Sequence, residues 1–366
     1  MIEVADILRQ HGASYRASHT LLPSQERALR DIENCRTEFF GGHVAQCDHC
    51  GLLRYAYHSC RNRHCPKCHG EQVDLWLERQ HSLLVPVPHF LLTFTLPAEL
   101  RSLAFGHQKA VYGALLRCAA SAVLKLTADP RWLGATPTIM AVLHTWTRAM
   151  LYHPHAHLLV SAGGLGADTQ HWIGAKHPAF LVPVRALSVI FRAKMRDALK
   201  TLGLYDLVSA EVWRKPWVVH SQHAGSGTKV LEYLARYVFR VAITNSRIEA
   251  FEQGQVTFRY RDNRTQQLRH LCVPAEEFIH RFLHHVLPRG FPKVRHYGLA
   301  STARAEDRKH ARSILTPEAD ASSCEQPAGP AISAPSTNDS LPLCPWCHLG
   351  HMLVIQSLRP RRKFPP

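Results

Sequence analysis

A chain of 366 residues has room for two or three domains, and 46% hydrophobic residues suit a globular protein with a real core. Its 44 Lys and Arg against 28 Asp and Glu give a net charge of +16 and an isoelectric point near 9.6, which favours a polyanionic partner, nucleic acid before membrane. No apolar run reaches the roughly 18 residues needed to span a bilayer, and Met1-Ile2-Glu3-Val4-Ala5-Asp6 lacks the basic start and apolar core of a signal peptide. A cytoplasmic protein without a membrane partner is therefore expected.

Residues 1–34 read as helical, with Pro23-Ser24 as a helix start and Leu29 and Ile32 on an apolar side. The cysteines follow. Eleven of them in a cytosolic chain, at Cys-x-x-Cys spacing, fit zinc better than disulfides. Cys47-Asp48-His49-Cys50-Gly51 is one knuckle and Cys65-Pro66-Lys67-Cys68 a second. Facing each other, Cys47, Cys50, Cys65 and Cys68 would supply four thiolates to one closed structural site. Cys35, His43, Cys60 and His64 are candidates for further zinc ligands, although Cys60 reads equally well as a small buried residue. Arg61, Arg63 and Lys67 place cations beside the knuckle, where they suit phosphate contact or simple solvation.

Residues 71–84 form a helix-like run, punctuated by Val85-Pro86-Val87-Pro88. Alternation predicts strands over His89–Leu96 and Thr138–Trp146, separated by a long helix after Pro97. Further helices are expected over Arg185–Leu202, Thr228–Arg240 and Glu276–His285, a strand over Trp213–His220, and a hairpin around Asp262-Asn263. Strands interleaved with helices, with at least one antiparallel hairpin, indicate an α+β fold. Residues 318–342 are rich in Ala, Ser, Pro and Asp and read as a disordered linker. Beyond them Cys344-Pro345-Trp346-Cys347 is a lone knuckle, for which His348, His351 and Cys324 are candidate further ligands, followed by a basic end.

Two stretches carry candidate chemistry. In Tyr152-His153-Pro154-His155-Ala156-His157 a short loop enters a strand, so His155 and His157 share one face and form half of a divalent-metal site. In Leu231-Glu232-Tyr233-Leu234-Ala235-Arg236-Tyr237-Val238 two tyrosines one helical turn apart share a face. Such pairs commonly pack into cores. Alternatively, a tyrosine can attack phosphorus and form a phosphotyrosine ester, and its resting pKa near 10 makes it dependent on a metal that polarises the phosphate.

With these motifs the chain resembles the HUH (His-hydrophobe-His) superfamily of single-strand endonucleases, and more narrowly the two-tyrosine rolling-circle transposases of bacterial insertion sequences. The resemblance spans residues from about 30 to 300. It rests on Cys35-Arg36-Thr37, Gly41-Gly42-His43, the run from Ser59 through Cys68, His144-Thr145-Trp146, His153 to His157, Tyr233 to Tyr237 and Arg295-His296-Tyr297-Gly298. It implies an N-terminal helix plus zinc-binding domain over 1–85. An HUH catalytic domain with a central antiparallel sheet flanked by helices would follow over 86–300, then a flexible linker over 301–342 and a Cys-x-x-Cys basic tail over 343–366. His155 and His157 would hold Mg²⁺ or Mn²⁺. His144, on the preceding strand, is a candidate third ligand or else a hydrogen-bonded core histidine. An all-imidazole set suits Mn²⁺, or even Zn²⁺, better than Mg²⁺. Tyr233 or Tyr237 would cleave single-stranded DNA at the ends of the element and transfer it to target DNA, in a bacterial, nucleoid-associated setting. The zinc module and Arg236 are candidate DNA contacts, and Lys215-Pro216-Trp217 is either a contact or structural. The alternatives are a relaxase or replication initiator of the same superfamily, and a zinc-dependent DNA-binding protein without catalysis.

Overall fold

Three alternating apolar stretches, around residues 90–96, 139–143 and 156–160, fix the centre of the molecule. The computed structural model describes residues 1–68, 72–226, 228–238, 242–262, 265–316 and 341–361. Helices α1 (Val4–Ser18) and α2 (Pro23–Glu33) precede strands β1 (Gly42–Cys47) and β2 (Leu53–Tyr57) and helix α3 (Gln72–His81). Strand β3 (His89–Thr95) leads into α4 (Arg101–Gly106) and α5 (Gln108–Thr127). Strands β4 (Ala135–Thr136), β5 (Thr138–Trp146), β6 (Tyr152–Ser161), β7 (Gly163–Gly166) and β8 (Trp172–Gly174) follow. Next come α6 (Val184–Thr201), β9 (Val219–His223) and α7 (Thr228–Val238). The chain continues with β10 (Ile248–Glu252), β11 (Gln255–Arg261), β12 (Leu268–Pro274), α8 (Ala275–Leu283), β13 (Val294–Gly298), α9 (Ala305–Leu315) and β14 (Met352–Leu358). This is the expected α+β class.

The central sheet has five strands in the order β13-β5-β6-β3-β9, with every neighbouring pair antiparallel. Successive side chains alternate between its faces. Ile139, Ala141, Leu143, Ala156, Leu158, Val160, Phe90, Leu92 and Phe94 point to one side, into a core with α5 and α6. Met140, Val142, Leu159 and Leu91 point to the other, where they pack against Leu231 and Leu234 of α7 and Trp76 and Leu77 of α3. Among the described residues α5 is the one helix long and apolar enough to cross a membrane, with mean hydropathy 1.3 although Arg117 interrupts its apolar run. It lies instead against the sheet as a core helix, 72% buried.

A second core brings the N-terminal helices against a later part of the chain: Ile7, Leu8, Leu29 and Ile32 of α1 and α2 pack with Phe258, Phe278 and Phe282 of β11 and α8. The C-terminal segment is no free tail: β14 pairs antiparallel with β1, giving a sheet in the order β14-β1-β2. Three local expectations change. The helix after Pro97 breaks at Gly106–His107 into α4 and α5. The strand over Trp213–His220 shrinks to β9, because Ala210–Trp213 is a 3-10 turn and Trp217 turns inward, its Nε1 donating to the Val212 carbonyl at 3.0 Å. Strand β10 adds a third member to the expected hairpin. Of the flexible linker expected over 301–342, Ala305–Leu315 forms α9, and residues 317–340 lie outside the described residues.

The β5–β6 hairpin, which carries the histidines, is pinned from the turn after α8. His285 Nε2 donates to the Met150 carbonyl at 3.0 Å, so its Nδ1 accepts from Thr145 Oγ1 at 3.3 Å. Met150 occupies the left-handed region at φ 62°, and this bond holds that turn. Burial pulls the His285 pKa down to about 3. A histidine depressed in the folded state leaves stability intact above its unfolded pKa of about 6.5 and removes it as the pH falls toward the folded value. Between pH 6.5 and 5, denaturant titrations are expected to show the wild type losing up to about 2 kcal/mol more than a His285→Gln variant.

Candidate active site and metal centres

His144 of β5 stands directly opposite His155 of β6, and Val142 opposite His157, so the three imidazoles fall on one face of the pair. It is the face that carries Met140, Val142 and Leu159, and hence the face covered by α7. One ring nitrogen from each lies within 4.8 Å of the others, and the ring centroids are 4.4 to 5.2 Å apart. His144 is buried at the floor, while His155 and His157 remain partly open.

Their orientation is set by partners outside the trio. Nδ1 of His155 donates to the His153 carbonyl at 2.7 Å. Nδ1 of His157 lies 2.9 Å from Thr93 Oγ1, on the residue opposite it in β3. With both Nδ1 atoms engaged, the Nε2 lone pairs are left for a ligand, the arrangement that fixes the tautomer of metal-binding histidines. Burial keeps all three rings neutral: it lowers the pKa of His155 to about 4, that of His157 to about 3, and that of His144 well below the usual range. Three neutral imidazoles can hold a divalent ion and leave positions open for oxygen ligands.

Helix α7 reaches this site at its C-terminal end. The Val238 carbonyl accepts from Lys293 Nζ at 3.3 Å, and that ammonium lies 4.6 Å from the centre of the Trp146 ring. Trp146 in turn stacks on His144, with centroids 5.5 Å apart and planes 14° apart. Burial, with a smaller contribution from Arg63, draws the Lys293 pKa down to about 7. Tyr233 and Tyr237 fall within α7, but their side chains, and that of Arg236, lie outside the described residues. The sequence reading missed Lys293 and Thr93. Alternation around Thr93 could have flagged the latter, since it shares a face with Leu91 in a strand next to the histidines.

The cysteines combine differently from the expected set of four. Cys65 and Cys68 join Cys35 and Cys60, while Cys47 and Cys50 join Cys344 and Cys347. In each group all four sulfurs lie within 4.8 Å of one another. The reason is positional: Cys35 follows α2, and the Cys60–Cys68 loop folds back under it into the core shared with α1 and α8, whereas Cys47 ends β1 beside β14. Cys35 and Cys60 are thus members of the first group, with Cys35–Cys68 and Cys60–Cys68 sulfur distances of 3.5 and 3.6 Å. His43 and His64 belong to neither. The His43 ring lies against His58, and His64 is buried, its Nε2 accepting from the Leu287 N–H at 3.3 Å.

Two of the three expected phosphate contacts are engaged inside the protein. Arg63 donates to the Phe291 and Pro288 carbonyls at 2.7 and 3.1 Å, tying the cysteine loop to the segment before β13. Lys67 is paired with Glu3. Arg61 is exposed and borders a groove with Arg36, Arg54, Tyr55 and Tyr57. Trp217 is core, and Lys215 pairs with Glu99 at 2.7 Å.

Comparison with known proteins bears on the whole length. The family described as "Transposase zinc-binding domain" matches residues 7–96, and that described as "Putative transposase" matches residues 138–308. The chain is 38% identical to "Putative transposase y4qJ" of Sinorhizobium fredii (strain NBRC 101917 / NGR234), over 97% of this chain and 95% of the relative. The chain belongs to the IS91/IS801 transposases. It is also 29% identical to the transposase for insertion sequence element IS801 of Pseudomonas savastanoi pv. phaseolicola, over 75% of this chain and 72% of that protein. No solved structure matches the transposase significantly. The match to the zinc-binding domain spans the Cys35–Cys60–Cys65–Cys68 group and also Cys47 and Cys50 of the second group.

If the three imidazoles hold Mn²⁺, Thr93→Val, which removes the hydroxyl facing His157 Nδ1 while keeping a β-branched strand residue, weakens that binding about 10- to 100-fold. Calorimetric titration of the purified transposase with Mn²⁺ measures this.

Proposed function

We propose that this transposase cleaves and transfers single-stranded DNA through a phosphotyrosine intermediate, with His144, His155 and His157 holding a divalent ion. The observation that carries the reading is the placement of α7, the helix containing Tyr233 and Tyr237, on the sheet face that bears the three histidines. An ion held there, Mn²⁺ or Mg²⁺, would polarise the scissile phosphate and ease departure of the leaving oxygen. The phenol oxygen of Tyr233 or Tyr237 forms a bond to phosphorus, the bond from phosphorus to the 3′ oxygen breaks, and the tyrosine proton is taken up by that oxygen. The products are a 5′-phosphotyrosine and a free 3′-OH, and the reverse reaction with another 3′-OH joins the strand to a target. A second tyrosine permits a second cleavage before the first is resolved.

The charge of +16 favours DNA as the partner. On the zinc module, exposed Tyr55 and Tyr57 on β2, flanked by Arg36, Arg54 and Arg61, suit unpaired bases and their phosphates. Arg61 is the member of the expected phosphate-binding trio that serves this role, because Arg63 and Lys67 are committed elsewhere. The Cys35–Cys60–Cys65–Cys68 group holds structural zinc in this reading.

Labelled single-stranded DNA from the element's ends, incubated with protein and Mn²⁺ or Mg²⁺, should migrate with the denatured polypeptide. Tyr233→Phe with Tyr237→Phe should abolish this adduct and leave DNA binding intact, and the single variants rank the two hydroxyls. His155→Ala should slow adduct formation by at least about 100-fold. An adduct of undiminished yield in the double tyrosine variant would sink the assignment.

A further inference from the structure

Residues 341–361 lie beyond both matched family segments, which end at residues 96 and 308. Yet their two cysteines meet the first knuckle of the chain. Cys47 Sγ is 3.7 Å from Cys347 Sγ, and Cys50 Sγ is 3.7 Å from Cys344 Sγ, across sequence separations of 300 and 294 residues. All four sulfurs lie within 4.8 Å of one another. A tetrahedral ion with zinc–sulfur bonds of about 2.3 Å requires sulfurs about 3.8 Å apart. Two disulfides would instead bring the sulfurs together in bonded pairs at about 2.05 Å.

Backbone N–H groups point at sulfurs in both knuckles. The His49 and Cys50 N–H groups donate to Cys47 Sγ at 3.4 Å, and the Gly350 N–H donates to Cys347 Sγ at 3.5 Å. The residue after each second cysteine is left-handed: Gly51 at φ 71° and His348 at φ 54°. The knuckles are also laced together directly. Asp48 N–H donates to the His351 carbonyl at 3.1 Å, and His351 N–H donates to Asp48 Oδ1 at 2.8 Å. Little else holds this corner. Its buried apolar cluster is Ala45, Cys47, Cys344 and Met352, too small a core to fix a three-stranded sheet unaided.

We propose that Cys47, Cys50, Cys344 and Cys347 bind a second structural zinc ion, which clasps the C-terminal segment onto the N-terminal module. The clasp holds β14 against β1. It thereby keeps Arg359 beside Tyr55 and Tyr57 in one groove, with Arg361 paired to Glu38 at its edge, so the C-terminal segment contributes to the surface assigned above to DNA. The metal site itself does not depend on the catalytic reading and is tested without catalysis.

The test uses full-length protein purified from zinc-supplemented cells, with metal counted by elemental analysis and native mass spectrometry. In a His155→Ala background, which removes the histidine site from the count, two zinc ions per chain are expected, falling to one with Cys344→Ser/Cys347→Ser and, independently, to one with Cys60→Ser/Cys65→Ser. A protease site placed between residues 317 and 340 gives a second readout. After cleavage the C-terminal fragment should co-elute with the body of the protein, and it should separate on chelation or in the Cys344→Ser/Cys347→Ser background. One zinc in the His155→Ala chain, unchanged by the Cys344/Cys347 substitutions, would overturn the proposal. So would a denatured mass four hydrogens lighter than the reduced chain, which would mark two disulfides in place of an ion, or iron in place of zinc on elemental analysis.

Discussion

The site depends on a single constraint: side chains of a β-strand alternate, and both faces of this sheet are covered. Once Leu143, Ala156 and Leu158 are committed to the core with α5, their neighbours His144, His155 and His157 must face the other way. There they meet a second apolar layer rather than bulk water, which makes a charged imidazole costly and leaves the rings neutral. Neutral rings whose Nδ1 atoms are engaged by His153 and Thr93 present nitrogen lone pairs in fixed directions. Burial thus does more than stabilise the sheet. It prepares the protonation state that a metal-binding or phosphate-handling site needs.

The same covering layer brings the tyrosine-bearing helix α7 into place. Leu231 and Leu234 seat α7 on Met140, Val142 and Leu159, so the position of the tyrosine-bearing helix and that of the histidines are set by one apolar contact surface. Lys293 adds a polar tie, reaching from the strand that flanks β5 to the last carbonyl of α7 across the face of Trp146. A shift of that helix relative to the sheet would have to break apolar packing and this bond together. Such coupling suits a reaction that needs a nucleophile and a phosphate held in register.

Local periodicity made much of this legible. The strands at His89, Thr138 and His155 and the helices over α6, α7 and α8 follow from alternation and helical spacing, and the histidine pair follows from its i, i+2 placement. The cysteine pairing did not, because one Cys-x-x-Cys is chemically as good a partner as another. Which two meet is decided by where β1 and α2 end, at long range. The fates of Arg63 and Lys67 were hidden for the same reason. Beside a knuckle they look like phosphate ligands, but the Pro288 and Phe291 carbonyls and the Glu3 carboxylate that engage them come from distant parts of the chain. Strand β14 lacked any signal of its own, since its exposed Leu353, Val354 and Ile355 look like an apolar tail until β1 is set beside them.

The pairing of β1 with β14 also imposes a timetable. At synthesis rates of about 5 to 20 residues per second, the 300 residues between Cys47 and Cys347 take roughly 15 to 60 s to emerge. Throughout that interval β1 has β2 on one side and an open edge on the other, and the Cys47 and Cys50 thiols lack their partners. The central sheet needs nothing beyond residue 298 and can close first. A chain released before Cys344 therefore has its central sheet complete but its N-terminal module still open.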